Sequence, residues 1–205
     1  MIDTHMLDKG GQAGDLLRRA ESEEWVCFHV ADTLLTELSD VRDDSRREEL
    51  LDLASTHSIS MGPMVLDHSL LGLSVLGSDE DALRIAHVHQ ILWSRDWPSD
   101  GHEVEKGNRT AKTRSRDTLH VANAIRYAYD AFVTHDRRVY EAQERVRAAY
   151  PGLQIMSPSQ ALRWLGNEIE LHRRRWGRMN LTPRLPEWPT SAEVAAWADV
   201  GDDEA

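Results

Sequence analysis

One cysteine, Cys27, stands alone among 205 residues. That excludes an internal disulfide framework and any metal site built on several thiolates. Cys27 lies in the apolar run Trp25-Val26-Cys27-Phe28-His29-Val30, so it reads as a small buried hydrophobe. Lysine is almost as scarce: Lys9, Lys106 and Lys112 are the only three. Arginine is therefore the main cation, and its planar fork suits phosphate recognition. No apolar stretch approaches the ~20 residues that a membrane-crossing helix needs. Leu70 to Leu76 is apolar but short, and Gly72 and Gly77 interrupt it. No secretory leader pattern, internal repeat or low-complexity tract is present. The expectation is a soluble, cytoplasmic protein with no membrane partner. Positive charge is also in deficit, with 24 Lys+Arg against 35 Asp+Glu and a net charge of −11. Taken whole, that disfavours tight non-specific binding to nucleic acid.

What the chain does have is an alternation of β-like and helical segments. Met1 to Leu7, Trp25 to Val30, Ala131 to Thr134 and Leu153 to Met156 read as strands. Helical periodicity separates them. Leu16, Leu17 and Ala20 mark one helix. Leu34, Leu35 and Leu38 mark another after Asp32-Thr33, a cap pair, and Leu50, Leu51 and Leu53 a third. Asp79 to Trp93, Ser115 to Tyr129 and Arg137 to Tyr150 read as longer helices, the last stopped by Pro151. Strands alternating with helices predict an α/β class with a parallel sheet.

Against that pattern, Asp3, Glu37, Asp117 and Asp136 each fall where a strand ends or a helix begins. Strand C-termini of a parallel sheet share one edge, and sites form in the crevice outside it. Carboxylates gathered there repel one another unless a cation offsets them. An oxygen-only set suits Mg²⁺ or Mn²⁺. Thr4 and Thr134 stand beside two of the acids, where a hydroxyl would orient a carboxylate. Local readings remain beside this one: Asp117 as a helix cap, Glu37 as a surface carboxylate, Asp136 as a turn residue or cap for the helix at Arg137.

Basic residues crowd two places. Lys106, Arg109, Lys112, Arg114 and Arg116 precede Asp117, and Arg173, Arg174, Arg175 and Arg178 form a second cluster. Of the first group, Arg109, Lys112, Arg114 and Arg116 are candidates for holding phosphates. The segment Ser94 to Ser115, with Pro98, Gly101 and Gly107, reads as a loop over the acidic edge or a disordered excursion. The chain reads as a domain over 1–165 and a C-terminal extension over 166–205, partly disordered or serving as a docking segment. Within that extension Thr190-Ser191-Ala192-Glu193 resembles a helix start.

Four pieces together resemble the PIN-domain nucleases, the family that includes toxins of toxin–antitoxin pairs. They are Ile2-Asp3-Thr4, Thr33 to Leu38, Asp117-Thr118-Leu119-His120-Val121-Ala122-Asn123-Ala124, and Phe132-Val133-Thr134-His135-Asp136. Leu153 to Pro158 with Ala161-Leu162 also fits, as a last strand running into a helix begun by proline. The likeness covers residues 1–165. It implies a PIN-like three-layer fold, a twisted parallel β-sheet of four to five strands flanked by helices. It implies a Mg²⁺- or Mn²⁺-dependent endoribonuclease with Asp3, Glu37, Asp117 and Asp136 as the catalytic and metal-holding quartet, Glu37 through water. RNA, a small antitoxin protein and a second copy of the chain are the partners it suggests. The alternative is a catalytically silent PIN-like binding or scaffold module. The chain departs from the family's pattern at His5, in the lengths of 57–77 and 94–115, and in its C-terminal forty residues. A haloacid-dehalogenase-like site would want Asp-x-Asp where Asp3-Thr4-His5 stands. A receiver domain would want a late lysine that the chain lacks.

Overall fold

The computed structural model describes residues 1–2, 6, 11–65, 74–97, 109–179 and 189–201, with backbone alone at 109 and 176–179. Asp3, Thr4 and residues 98–108 of the expected loop lie outside the described residues.

The chain is mixed α/β and mostly helical. Helix α1 (Gly11–Ser22) buries Ala13, Leu17 and Ala20. It ends where Glu24 turns left-handed at φ 62° and the Trp25 amide donates to Ala20 O at 2.8 Å, a six-to-one closing bond. Strand β1 (His29–Ala31) runs directly into α2 (Asp32–Ser39). Helix α3 (Asp44–Ser55), capped by Asp43, leads to β2 (Ser58–Ser60). Helix α4 (Asp79–Trp93) opens on a reciprocal Ser78–Asp81 capping box, and α5 (Arg109–Arg126) leads to β3 (Ala131–Val133). Helices α6 (Arg137–Tyr140) and α7 (Gln143–Ala149) precede β4 (Gln154–Met156). Helix α8 (Pro158–Met179) starts with proline in its first turn, where the missing amide costs nothing. It runs through residue 165 without a break. Helix α9 (Ser191–Trp197) comes last.

The strands form two parallel pairs. His29, Val30 and Ala31 face Ser58, Ile59 and Ser60, and Ala131, Phe132 and Val133 face Gln154, Ile155 and Met156. Residues 1–2 stand between the pairs: the Ile2 amide donates to His29 O at 3.0 Å, and the Val133 amide donates to Met1 O at 2.9 Å. Alternate strand residues enter different apolar clusters. Val30, Val133 and Met156 join the one built with α1, α2, α3 and α8. Ala31, Phe132 and Ile155 join the one built with α4, α5 and α7. Successive side chains of a strand point to opposite faces, so helices cover both sides.

Several expectations change. Among the described residues the named strands, each three residues long, form two two-stranded sheets, and the expected sheet of four to five strands is not shown. The strand expected at Trp25 to Val30 shifts to His29–Ala31, since Trp25 closes α1. Strand β2 is polar, Ser-Ile-Ser, and carries no β signal of its own. Helix α5 begins at Arg109, so Lys112, Arg114 and Ser115 are helical rather than part of a loop. The helix expected over 137–150 breaks at Ala142, which adopts φ −89° and ψ 0°. Cys27 is exposed, because it precedes β1 and its Sγ sits 3.5 Å from His29 Nε2 at the surface.

The C-terminal residues 189–201 dock on the body. Thr190 and Glu193 form a reciprocal capping box. Trp197 and Val200 are buried in the first cluster, and the Trp197 ring lies 6.1 Å from that of Trp25. Gly166 on α8 allows the approach, since a Cβ there would fall 2.8 Å from Val194 Cγ1. Trp197→Ala should lower unfolding stability by about 3 kcal/mol, the low end for tryptophan truncation because α9 can lift away. Urea denaturation measures it, and a loss under ~0.5 kcal/mol would show that α9 contributes no core.

His89 on α4 is buried, with Nδ1 2.9 Å from Thr118 Oγ1 and Trp97 edge-on at 5.2 Å. Burial, then the charges of Arg114 and Arg95, push its pKa down to about 4. The unfolded chain takes up this proton near pH 6.5 and the folded protein does not. The stability is therefore full above pH 6.5 and declines as pH falls toward 4. His29, lowered first by burial and then by the charge of the terminal amine, adds to the same window. The melting temperature should fall across pH 6.5 to 4, and His89→Asn should remove part of that fall. An unchanged slope in the variant would refute it.

Candidate functional site

Helix α5 carries Lys112, Arg116 and His120 at intervals of four, which puts them on one face. That face meets α2. Lys112 Nζ donates to Asp40 Oδ2 at 2.6 Å, Arg116 Nη2 donates to the same oxygen, and His120 Nε2 lies 3.1 Å from Glu37 Oε1. The His120 side chain is 3% exposed and that of Glu37 18%. Phe132 of β3 stacks against the His120 ring at 6.3 Å, so the imidazole is fixed from behind. Asp117 precedes His120 by one turn on α5 and is half-buried. It lies well inside the helix, so an N-terminal capping role is ruled out for it.

Asp136 follows β3 and caps α6. Its Oδ1 accepts the amides of Arg138 at 2.7 Å and Val139 at 3.3 Å. Buried Thr134 accepts the Asp136 amide at 2.8 Å through Oγ1, which fixes the main chain of the acid, not its carboxylate. Asp3 and Thr4 lie outside the described residues. Among the described residues, no three His, Cys, Asp or Glu side chains are grouped to hold one metal ion.

The basic candidates are engaged within the protein. Lys112 and Arg116 share Asp40. The Arg114 guanidinium lies over the Trp93 ring at 5.7 Å, while Arg114 O accepts from Trp93 Nε1 at 3.2 Å. The Arg109 side chain is outside the described set. Burial alone would push the Asp40 carboxyl up, but the hydrogen bonds from Lys112 and Arg116 outweigh it and hold it below the usual carboxylate range.

Sequence reasoning read Asp32 only as part of a helix cap. It is 1% exposed, and its Oδ1 accepts the Thr33 amide at 2.9 Å while Oδ2 accepts the Ser74 hydroxyl at 2.6 Å. Gly62 comes so close that a Cβ there would stand 3.0 Å from Asp32 Oδ1 and 3.4 Å from Asn123 Nδ2. Asn123 Nδ2 donates to Ser60 O at 3.0 Å; its Oδ1 is buried with no hydrogen-bond partner among the described residues. Asp32, Gly62 and Asn123 thus meet just past the ends of β1 and β2. The signal for Asn123 was its place in the Asp117 segment; Ser74, 42 residues from Asp32, left none.

No family model, curated protein or solved structure matches the chain.

Ser74→Ala removes a donor from a buried carboxylate, which should destabilise the fold by about 1.5–3 kcal/mol. Chemical denaturation reads this, and a change below ~0.5 kcal/mol would mean the hydroxyl is not needed to satisfy Asp32.

Proposed function

We propose that the chain is a Mg²⁺- or Mn²⁺-dependent endoribonuclease of the PIN type that cuts single-stranded RNA, and the toxin of a toxin–antitoxin pair. The observation that carries this is the seam between α2 and α5, where buried His120, one turn after Asp117 on its helix, contacts Glu37. Thr134 and Asp136 supply the end of β3. In this reading β2, β1, residues 1–2, β3 and β4 make one five-stranded parallel sheet, and its carboxyl edge is the active edge.

The donor chemistry fits a hard cation, because Glu37, Asp117 and Asp136 offer oxygen alone. These described residues do not complete a ligand set; Asp3, the fourth acid of the resemblance, lies outside them. When bound, such an ion neutralises charge at a phosphodiester and lowers the pKa of a bound water. His120 keeps the Glu37 carboxylate in one rotamer, as outer partners of ligands do. Asp136 keeps Oδ1 on the α6 amides, so Oδ2 is the oxygen it would turn to the ion. Lys112, Arg114 and Arg116 flank the acids and would offset the repulsion between an acidic edge and RNA.

The use of Asp136 as a helix cap favours a second reading, a PIN-like scaffold without chemistry. The test is cleavage of labelled single-stranded RNA by the pure protein. Mn²⁺ should support it, EDTA should abolish it, and Asp117→Asn should abolish it. His120→Gln, which disturbs an outer partner, should slow it about 10–100-fold. Cleavage that survives EDTA or Asp117→Asn would reject the ribonuclease reading. No cleavage of any RNA by Mn²⁺-loaded protein would favour the scaffold.

A further inference from the structure

Asp40 is in a place that local helix stability does not favour. It caps the C-terminus of α2, with its amide donating to Glu37 O and Leu38 O. A carboxylate there faces the negative end of the helix dipole. Its partners are misplaced in the same sense: Lys112 stands in the first turn of α5 and Arg116 in the next, at the positive end, and that first turn holds no acidic residue. Each side offsets the other, but two cations meet one carboxylate, so one positive charge is left over. Arg116 has donors to spare as well. Its side chain is 12% exposed, and its buried Nε–H has no hydrogen-bond partner among the described residues.

We infer that Lys112 and Arg116 form a phosphate subsite that Asp40 occupies in the free protein, as an internal substitute for an RNA phosphate. The two are next along the α5 face from His120. With a rise of 1.5 Å per residue, Arg116 stands ~6 Å along the helix from the Glu37 contact. A phosphodiester carries one negative charge shared by two non-bridging oxygens, and these would take both cations, as the single shared Asp40 oxygen now does. The exchange is open to solvent, since Asp40 and Lys112 are 47% and 36% exposed. RNA must displace Asp40, so affinity is held down and weak or short anions are rejected. This inference rests on the ribonuclease reading for its ligand.

The test measures binding of a fluorescein-labelled single-stranded RNA in EDTA, so that cleavage plays no part, across a series of salt concentrations. Asp40→Asn should bind several-fold tighter than the parent. Its dependence of log K on log salt should steepen by roughly 0.7–1.4, one to two phosphate charges on a single strand. In a Lys112→Ala/Arg116→Ala background the same change should give no gain. Unchanged or weaker binding by Asp40→Asn would overturn the inference. A gain that persists without Lys112 and Arg116 would also overturn it, because long-range repulsion alone would then explain it. A thermal melt separates the structural role: a lowered melting point with unaltered affinity leaves Asp40 a tie between α2 and α5 and rejects the subsite. Metal-dependent cleavage is scored separately, so the subsite fails by itself if the parent cleaves RNA and Asp40→Asn binds no better.

Discussion

The contact between His120 and Glu37 fixes the edge of this molecule. The imidazole is buried, backed by the Phe132 ring, and 3.1 Å from the Glu37 carboxylate on α2. A buried polar group that lost its partner would cost about 1–3 kcal/mol, so α5 cannot slide along α2 without a penalty. Everything else on that face follows by helical spacing. Arg116 and Lys112, one and two turns earlier, reach the end of α2 at Asp40. Asn123, one turn later, reaches Ser60 O at the end of β2. One helix face thereby joins the last turn of α2, its C-cap and the second strand.

The carboxylates around that face are balanced in different ways. Asp81 is 5% exposed and takes Arg84 at 2.6 Å and Arg126 at 2.8 Å. Burial pushes its pKa up, but the Ser78 amide and hydroxyl and the two arginines outweigh this and hold it down. Asp32 takes an amide and a hydroxyl, Glu37 a histidine, and Asp136 two amides. Removing a guanidinium from Asp81 would leave a buried charge uncompensated, which is strongly destabilising. Asp81 is thus a structural tie between α4 and α5. Asp40, exposed and paired with two cations, can exchange its partners at far lower cost.

Features set by neighbouring residues were legible in the sequence. Helix α4 has the expected bounds because Ser78 and Asp81 mark its start, and Thr190 with Glu193 marked α9 in the same way. Strands β3 and β4 were readable from Ala131-Phe132-Val133 and Gln154-Ile155-Met156. Features set by distant partners were not. Two of the three residues of β2 are serine, and it pairs only because α2 and α3 return it to β1. The early start of α5 was hidden because Arg109 to Ser115 shows no apolar stripe; there Arg114 covers Trp93 and Lys112 reaches Asp40, so charged side chains take the packing role. Among the candidate residues, Glu37 lies on α2 as read, whereas Asp117 lies in the middle of α5 rather than at a helix start. Asp32 was missed, because its burial depends on Gly62 and Ser74.

The strands are too short for their ladders to define register by hydrogen bonding. Three residues exchange only a few bonds, and the two pairs are joined among the described residues through Met1 and Ile2. Side-chain partition supplies the missing specification. Val30 and Ala31, Phe132 and Val133, and Ile155 and Met156 each divide between the two apolar clusters. A slip of one residue would exchange the members of each pair. Alanine would then leave a hole where Val30 packs, and Phe132 would overfill the space of Val133. The residue after each strand stands at a fixed offset from these buried pairs: Asp32 after Ala31, Thr134 after Val133, Ser157 after Met156. The polar edge is thus positioned by the apolar faces behind it. A core substitution in any of the three pairs should move the edge before it unfolds the chain, because the helices on both sides keep their own burial when a strand shifts.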